Sequence, residues 1–275
     1  MDIINYSASH KLLALARGHP YERDAYAALL SGLEDFDVCH VEQPVAQRLL
    51  GPAAATEFDA IVCYDMPGVD FTTADAPQPL APPAHFRENY IDMLDVGVGM
   101  VYLHHAIAAW PAWPEYAEIV GGRFHYRPAT LRNRQWPDSG YCHQVGHRIS
   151  KLCDHPVTEG IPESFEMTDE LYLCPVFEDD VTPLLASDYC FEDDHFYSAA
   201  SAVGGNMHSR EGWAHPGGSH FVGWVKRVGN SPIVYLQGGD DSAAMSNQYF
   251  RQLVHNAVRW VSSDAAHAWA RSAST

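Results

Sequence analysis

Basic residues are scarce in this chain. Its 275 residues include 17 lysines and arginines against 35 aspartates and glutamates, so the formal net charge is −18 with 16 histidines counted as neutral. Such a charge repels the phosphates of nucleic acids and anionic membranes, and we expect neither as a partner. With 47% apolar and 12% aromatic residues, the chain is nevertheless typical of a globular protein. A small neutral or cationic molecule, or a metal ion, is the expected ligand.

Three further features are missing from the sequence. The six cysteines include no Cys-x-x-Cys pair and are widely spread, which favours reduced thiols over a disulfide-stapled secreted scaffold. No apolar run approaches the ~18 residues that span a membrane, and the first residues lack a basic leader, so we expect a cytoplasmic protein. Neither a Gly-x-Gly-x-x-Gly nor a Walker loop is present, and we expect no bound nucleotide.

Alternating strand-like and helix-like segments predict an α/β fold with a mostly parallel sheet. The predicted strands are Lys11 to Ala16, Asp37 to Val41, Ala60 to Tyr64, Val98 to Leu103, Phe221 to Arg227 and Pro232 to Leu236. The last two form a predicted hairpin, and an amphipathic helix follows them with Ser246 as its candidate N-cap.

The middle of the chain has weak periodicity and many glycine, proline, aspartate and aromatic residues. We interpret residues 121–218 as an irregular insertion, and residues 1–265 as a single domain that contains it. Residues 266–275 are then a polar C-terminal tail.

Two histidines stand directly after the apolar strand Val98 to Leu103. A strand-to-helix turn in such folds presents its tip residue at the carboxyl edge of the sheet, where hydrolases of similar architecture carry serine or cysteine. Here His104 and His105 occupy the turn, which disfavours nucleophilic acyl transfer and favours a metal ligand or a general base. The alternative is that one ring packs under the sheet and bonds a backbone carbonyl.

Other polar residues lie where one crevice could gather them, because parallel strands end at the same edge. They are His19, Asp65 and Asp240 at strand ends, and Asp169 and Glu170 in a strand-like segment. Each carboxylate could instead be a solvated surface charge or a turn cap. Trp113 could stack on a sugar ring, or pack in the core.

Ordered motifs along nearly the whole chain resemble the trehalose-utilisation (ThuA-like) family. The matching segments are GHPYERDAY, FDAIVCYD, VGMVYLHHA, HPVTEGI, DELY, FVGWVKRVGNSPIVYLQGGD and NQYFRQLVHNAVRWV. The resemblance implies the fold of class I glutamine amidotransferases, a flavodoxin-like three-layer sandwich. It also implies a link to the metabolism of trehalose-like disaccharides and their 3-keto derivatives.

The resemblance carries over to individual residues. His104 matches the histidine after the family's elbow strand, and Asp169 with Glu170 matches its DE-L-Y motif. Family members usually have Gly-His-Asp or Gly-His-Glu after the last core strand, where this chain has Gly238-Gly239-Asp240. Glutaminase chemistry is therefore expected to be absent. A family-like metal site then needs another histidine, such as His105, His19 or one between His208 and His220.

We hypothesise an enzyme that acts on a keto-sugar or glycoside, as an isomerase, lyase or hydrolase. The catalytic acid–base residues are then His104, His105 and Glu170. Substrate would be bound by His19, Asp65, Asp169, Asp240 and Trp113. A divalent metal, zinc first, would be held by His104, His105 and Asp240. The alternatives are a non-catalytic sugar-binding or assembly subunit and a metal-dependent amidohydrolase, and a homo-oligomer stays open.

Overall fold

Strands and helices alternate through the first part of the computed structural model, which describes residues 7–73 and 75–272. The strands are β1 His10–Arg17, β2 Phe36–Glu42, β3 Ala60–Asp65, β4 Val69–Asp70, β5 Gln78–Pro79, β6 Gly99–Leu103, β7 Ala129–Leu131, β8 Arg134–Trp136, β9 Gly140–Lys151, β10 Ser164–Leu173, β11 Thr182–Ser187, β12 Tyr197–Ser198, β13 Phe221–Val228 and β14 Ser231–Leu236. The helices are α1 Arg23–Leu30, α2 Ala54–Glu57, α3 Ala84–Val96, α4 Pro114–Val120, α5 Ala199–Val203, α6 Ser242–Ser246, α7 Gln248–Val261 and α8 Asp264–Arg271.

Five parallel strands form one half of the main sheet, in the order β2-β1-β3-β6-β14. Counted along the chain, this is the 2-1-3-4-5 order of flavodoxin-like folds. The predicted α/β class is therefore confirmed. We call these five strands the parallel half. Their carboxyl ends lie at one edge of the sheet, where such folds bind ligands.

The sheet continues through antiparallel pairing from β14 to β13, β11, β9 and β10. We call β13, β11, β9 and β10 the antiparallel extension. The interpretation of residues 121–218 as irregular is wrong at this point, because β9 has 12 residues and β10 has 10. In β9 the period-two pattern is hidden, since half-exposed histidine and glutamine interrupt it and a bulge shifts its phase.

Side chains of the strands alternate between two apolar layers, which makes three layers in all. In β1, Leu12 and Ala14 point to the layer that contains α1, α6, α7 and α8, whereas Leu13 and Leu15 point to the layer that contains α2, α3 and α4. Both faces of the parallel half are therefore covered, as its uninterrupted apolar strands require.

The C-terminal helices differ in detail from the prediction. Asn247, not Ser246, caps α7, because its side-chain oxygen accepts hydrogen bonds from the backbone N–H groups of Tyr249 and Phe250. The predicted tail from residue 266 is mostly helix α8, which Ser263 caps and which buries Ala266. Residues 273–275 lie outside the described part. No helix of the described residues is long and apolar enough to cross a membrane.

Candidate active site

His104 is held in place by the turn that follows β6. Its backbone φ of 47° lies in the left-handed region, which is costly for a residue with a bulky side chain. Its side chain is fully buried, and Nδ1 lies 2.8 Å from the backbone carbonyl of Gln237, just after β14. Because a carbonyl only accepts, Nδ1 carries a hydrogen and Nε2 faces the functional groups around it.

Three oxygen atoms surround Nε2 of His104. The Tyr172 hydroxyl lies at 2.7 Å, Glu170 Oε2 at 3.2 Å and Asp240 Oδ1 at 3.4 Å. Tyr172 and Glu170 come from β10 in the antiparallel extension, whereas Asp240 follows β14 in the parallel half. The cluster is therefore assembled across the junction between the two parts of the sheet.

A β-bulge adds a second histidine to this cluster. Between paired positions of β9 and β10, His143 and Gln144 lie opposite Glu170 alone, and Gln144 has a φ of 54°. Bulges of this kind redirect side chains and often lie beside active sites. Here Nδ1 of His143 lies 3.2 Å from Glu170 Oε1 and 3.8 Å from Asp240 Oδ2. The Glu170 carboxylate thus lies between two imidazole rings.

Asp169 holds the loop after β14 in place through hydrogen bonds to its backbone. Its carboxylate accepts hydrogen bonds from the backbone N–H groups of Gly239 at 2.7 Å, Asp240 at 3.1 Å and Glu170 at 2.8 Å. Gly239 has a φ of 114°, which side-chain-bearing residues rarely adopt. The loop therefore requires glycine where the family pattern has histidine, and Asp240 is aimed by a backbone clamp.

The charges of the cluster support one another. Burial alone would lower the pKa of His104, but hydrogen bonds from its ring to Asp240 and Glu170 raise that pKa well above the usual value. The hydrogen bond to Asp240 also raises the pKa of His143. Burial acts to raise the pKa of Asp240, yet the two imidazoles outweigh it and lower that pKa. Burial raises the pKa of Asp169, behind the cluster, to about 7.

A cleft of about 380 Å³ opens above Glu170 and His143, within the usual size range of ligand pockets. His143 is half-exposed in this cleft, with 40% of its side chain accessible, whereas Glu170 is buried at its floor. The walls are largely aromatic and apolar, formed by Phe71, Phe124, Tyr126, Tyr141, Tyr172, Pro20, Ala199, Ala202, Val203 and Met207, with His19 among them.

His105 does not join the cluster, although it follows His104 directly. Its Nε2 lies 3.2 Å from the backbone carbonyl of Tyr64, its Nδ1 is buried without a partner, and its ring packs between Tyr64 and His19. Burial, with the neighbouring histidines, lowers its pKa well below the usual value. The ligand set predicted from the sequence is corrected here, because Glu170 takes the place of His105 beside His104.

Two predicted substrate residues lie away from the cleft. Asp65 is buried at the end of β3, where its carboxylate accepts a 2.6 Å hydrogen bond from Gln43 and burial raises its pKa to about 6. Trp113 is 2% exposed and its ring packs against Phe86, Tyr90 and Tyr116. Neither residue lines the cleft, so both predictions are corrected. Asp65 is buried and bonded to Gln43, and Trp113 packs in the core.

The three histidines of the glycine-rich segment, residues 208–220, pack against aromatic rings outside the cluster. His208 packs on Tyr141 and Tyr197, His215 on Trp136 and Trp213, and His220 on Phe191. His143 and Tyr172 were missed by the sequence reasoning. Tyr172 stands in the DELY motif, but no sequence signal marks the bulge that brings His143 to Glu170.

The donor set of the cluster fits a divalent metal ion. His104 Nε2, Glu170 Oε2 and Asp240 Oδ1 all lie within 4.8 Å of one another. A tetrahedral zinc site with bonds of about 2.1 Å has ligand atoms about 3.4 Å apart. The separations of 3.2 and 3.4 Å from Nε2 are close to that spacing. Imidazole with two carboxylates suits zinc or manganese.

Comparison with known proteins agrees with this fold. A ThuA-like protein from Parabacteroides merdae superposes with a TM-score of 0.62 at 16% identity, covering 92% of this chain and 90% of that one. A ThuA-like protein from Bacteroides uniformis gives 0.60 at 17% identity, covering 92% and 91%. A cytoplasmic protein from Salmonella typhimurium gives 0.54 at 12% identity, covering 91% and 99%.

No curated protein matches the sequence. The profile of the ThuA family, described as trehalose utilisation, matches residues 17–261. That match covers most of the chain, including the site residues His104, His143, Glu170 and Asp240. The protein belongs to the trehalose-utilisation (ThuA) family.

Proposed function

We propose that this protein is an enzyme of carbohydrate metabolism that transfers a proton on a keto-sugar or a keto-glycoside. The observation that carries the proposal is the Glu170 carboxylate, which lies between the imidazoles of His104 and His143 at the floor of an aromatic cleft. Isomerisation, elimination and hydrolysis of such substrates can each begin with loss of the proton on the carbon beside the carbonyl.

The cluster has one base and one acid that can reach a ligand. The Glu170 carboxylate accepts the carbon-bound proton, and His104 behind it compensates the charge that moves. His143 has a raised pKa, so it is available in its protonated form. It faces the cleft and donates a proton either to the oxygen that leaves or to the carbonyl oxygen, which becomes the hydroxyl of an enol. Tyr172 keeps the buried edge of His104 fixed through its 2.7 Å hydrogen bond.

The walls of the cleft support a carbohydrate as the ligand. Phe71, Phe124, Tyr126 and Tyr141 offer ring faces beside the polar floor, and aromatic faces pack well on the apolar faces of sugar rings. The family description, trehalose utilisation, points to the same class of molecule. A small-molecule sugar is therefore proposed as the substrate.

A divalent metal is proposed as part of this site. His104, Glu170 and Asp240 would hold it, with zinc as the first choice. When bound, such an ion polarises a carbonyl and stabilises the enolate charge.

Glutaminase activity is not proposed, because the turn after β6 has no cysteine and Gly239 stands where that chemistry needs histidine. We also propose a cytoplasmic location, which six unpaired cysteines and the description of the Salmonella structure favour.

Solvent hydrogen exchange tests the proposal whichever product the enzyme forms. The protein is incubated in D₂O with the 3-keto derivative of trehalose, and with trehalose as the reference sugar. We expect deuterium to appear at the carbon beside the carbonyl faster than in buffer, and none to enter trehalose. NMR spectroscopy measures both rates.

Matched histidine variants make the result specific. We expect His143→Gln to slow the exchange about 100-fold, the usual lower range for loss of an acid–base group. His195→Gln serves as the control, because His195 is a half-exposed residue outside the cleft. Sugar binding without any exchange would contradict the proposal and favour a non-catalytic sugar-binding subunit. Hydrolysis of amides or esters instead would favour an amidohydrolase.

A further inference from the structure

A small internal cavity lies behind the site, on the face of β10 opposite the cleft. Its volume of about 20 Å³ exceeds the ~10–15 Å³ that one water molecule needs. Apolar side chains form most of its wall, including those of Ile149, Met167, Leu185, Val222, Phe250 and Leu253. Four polar residues also line it, namely His147, Asp169, Gln237 and Glu170 of the cluster.

Two of these polar residues have side-chain nitrogens that are buried without a hydrogen-bond partner among the described residues. They are Nε2 of His147 and Nε2 of Gln237. The amide nitrogen of Gln237 is a donor in every state. Buried donors are almost always hydrogen-bonded in native proteins, so two of them around one cavity call for a shared acceptor.

The hydrogen bond on the other side of His147 indicates that its Nε2 is also a donor. Nδ1 of His147 lies 2.8 Å from the Ser187 hydroxyl, and that hydroxyl oxygen accepts the backbone N–H of Tyr189 at 3.1 Å. Burial lowers the pKa of His147 to about 4, which favours the neutral ring with a single hydrogen. If the Ser187 hydroxyl donates its hydrogen to Nδ1, the hydrogen of the ring lies on Nε2.

Asp169 offers the matching acceptor. A carboxylate has about four acceptor positions, and three of them take the backbone N–H groups of Gly239, Asp240 and Glu170. One position remains for a further donor. The cavity therefore has two donors, one acceptor and the volume of one small molecule that can serve all three.

We propose that the cavity is a binding site for one water molecule, which accepts hydrogen bonds from His147 and Gln237 and donates one to Asp169. Through this water, His147 supports the carboxylate that clamps the loop carrying Asp240. His147 is then a positioning residue, since it is not among the described residues that line the cleft. A buried water molecule thus stabilises Asp169, and through it the loop that carries Asp240.

A crystal structure of the wild-type protein at about 1.6 Å resolution tests the site directly. We expect an electron-density peak within hydrogen-bond distance of His147 Nε2, Gln237 Nε2 and a carboxylate oxygen of Asp169. A cavity without density, or side chains that close it, would overturn the proposal. This measurement needs no variant and no substrate, so its failure is distinct from failure of the proposed enzymatic function.

Two variants of one residue separate the water-mediated role from simple packing. His147→Gln keeps an N–H donor near the position of Nε2, whereas His147→Leu fills the same space with apolar atoms. Hydrogen exchange of the amides of Gly239 and Asp240, which donate to Asp169, is the readout. We expect exchange about tenfold faster in His147→Leu, as for loss of one net hydrogen bond, and wild-type exchange in His147→Gln. Equal exchange in all three proteins would contradict the proposal.

Discussion

The parallel half of the sheet and the antiparallel extension both contribute to the site, but they present their residues differently. The parallel half supplies His104 and Asp240 from turns at strand ends, where backbone φ values of 47° at His104 and 114° at Gly239 set the geometry. The extension supplies Glu170 and Tyr172 from inside a strand, and His143 from a bulge. Turns of the first kind recur in flavodoxin-like folds, whereas the extension is what brings a carboxylate and a second histidine to this protein's cluster.

The largest effect should come from the extension. We expect Glu170→Gln to lower kcat/KM on keto-glycosides by about 1,000-fold, because the variant removes the base at the floor of the cleft. Glu166→Gln is the matched control on the same strand, since Glu166 is two-thirds exposed and pairs with Arg148. Steady-state kinetics of both variants give the comparison. Similar activity in both would place the chemistry in the parallel half alone.

Two aspartates of the parallel half should respond to pH in opposite ways. Burial raises the pKa of Asp65 to about 6 from 3.8, so the wild type loses stability as pH rises through that range and Asp65→Asn does not. Relative to the wild type, Asp65→Asn should gain about 3 kcal/mol between pH 4 and pH 7. The pKa of Asp240 is instead lowered, so its contribution is present above pH 4 and is lost only in stronger acid.

Asp240→Asn should therefore destabilise the protein throughout pH 5 to 8, by about 2 kcal/mol, because it removes the charged contacts with two histidines. Denaturant unfolding at each pH, with a chelator present, measures both variants. If Asp65→Asn and Asp240→Asn followed the same pH trend, the distinction between an isolated buried acid and an acid in the cluster would be lost.

Substitution of the two adjacent histidines, His104 and His105, should have different effects on metal affinity. We expect His104→Gln to weaken zinc binding about 100-fold and His105→Gln to leave it unchanged, because His104 faces Glu170 and Asp240 whereas His105 contacts Tyr64 and His19. Calorimetric titration of protein without a histidine tag measures both affinities. Equal losses in the two variants would restore His105 as a ligand.

The smallest effect should come from the cleft wall. Phe71 is 38% exposed and stacks edge-on against Tyr126. We expect Phe71→Ala to raise KM about fivefold with kcat nearly unchanged, in line with the ~1 kcal/mol of one aromatic contact. A lower kcat at constant KM would mean that Phe71 acts on the reacting groups instead.

Sequence reasoning reached the parallel half and most of its polar residues. Apolar runs such as Ala60 to Tyr64 are buried on both faces and are bounded by turn residues, so the sequence predicts both the strand and the residue at which it ends. That is why His104 and Asp240 could be predicted. Glu170 was found through the DELY motif, but its partner His143 was not, because one bulge in β9 decides which way that side chain points.

The errors have the same physical origin. His105 and Trp113 lie near His104 in the sequence, yet both are buried, and the backbone between them has left-handed residues at His104 and Trp110. Register, bulges and positive φ values depend on tertiary contacts, which local pattern does not contain. Of the 16 histidines, the structure places His104 and His143 in the cluster and His19 in the cleft wall.

The contact between His104 and Glu170 joins the two parts of the sheet, and a double-mutant cycle tests it most directly. The free energy of unfolding is measured at pH 7, with a chelator present, for the wild type, His104→Gln, Glu170→Gln and the double variant. We expect a coupling energy of about 1–3 kcal/mol, as for groups in direct contact, and none for the control pair His104 and Glu166. Additive losses for His104 and Glu170 would contradict a site shared between the parallel half and the antiparallel extension.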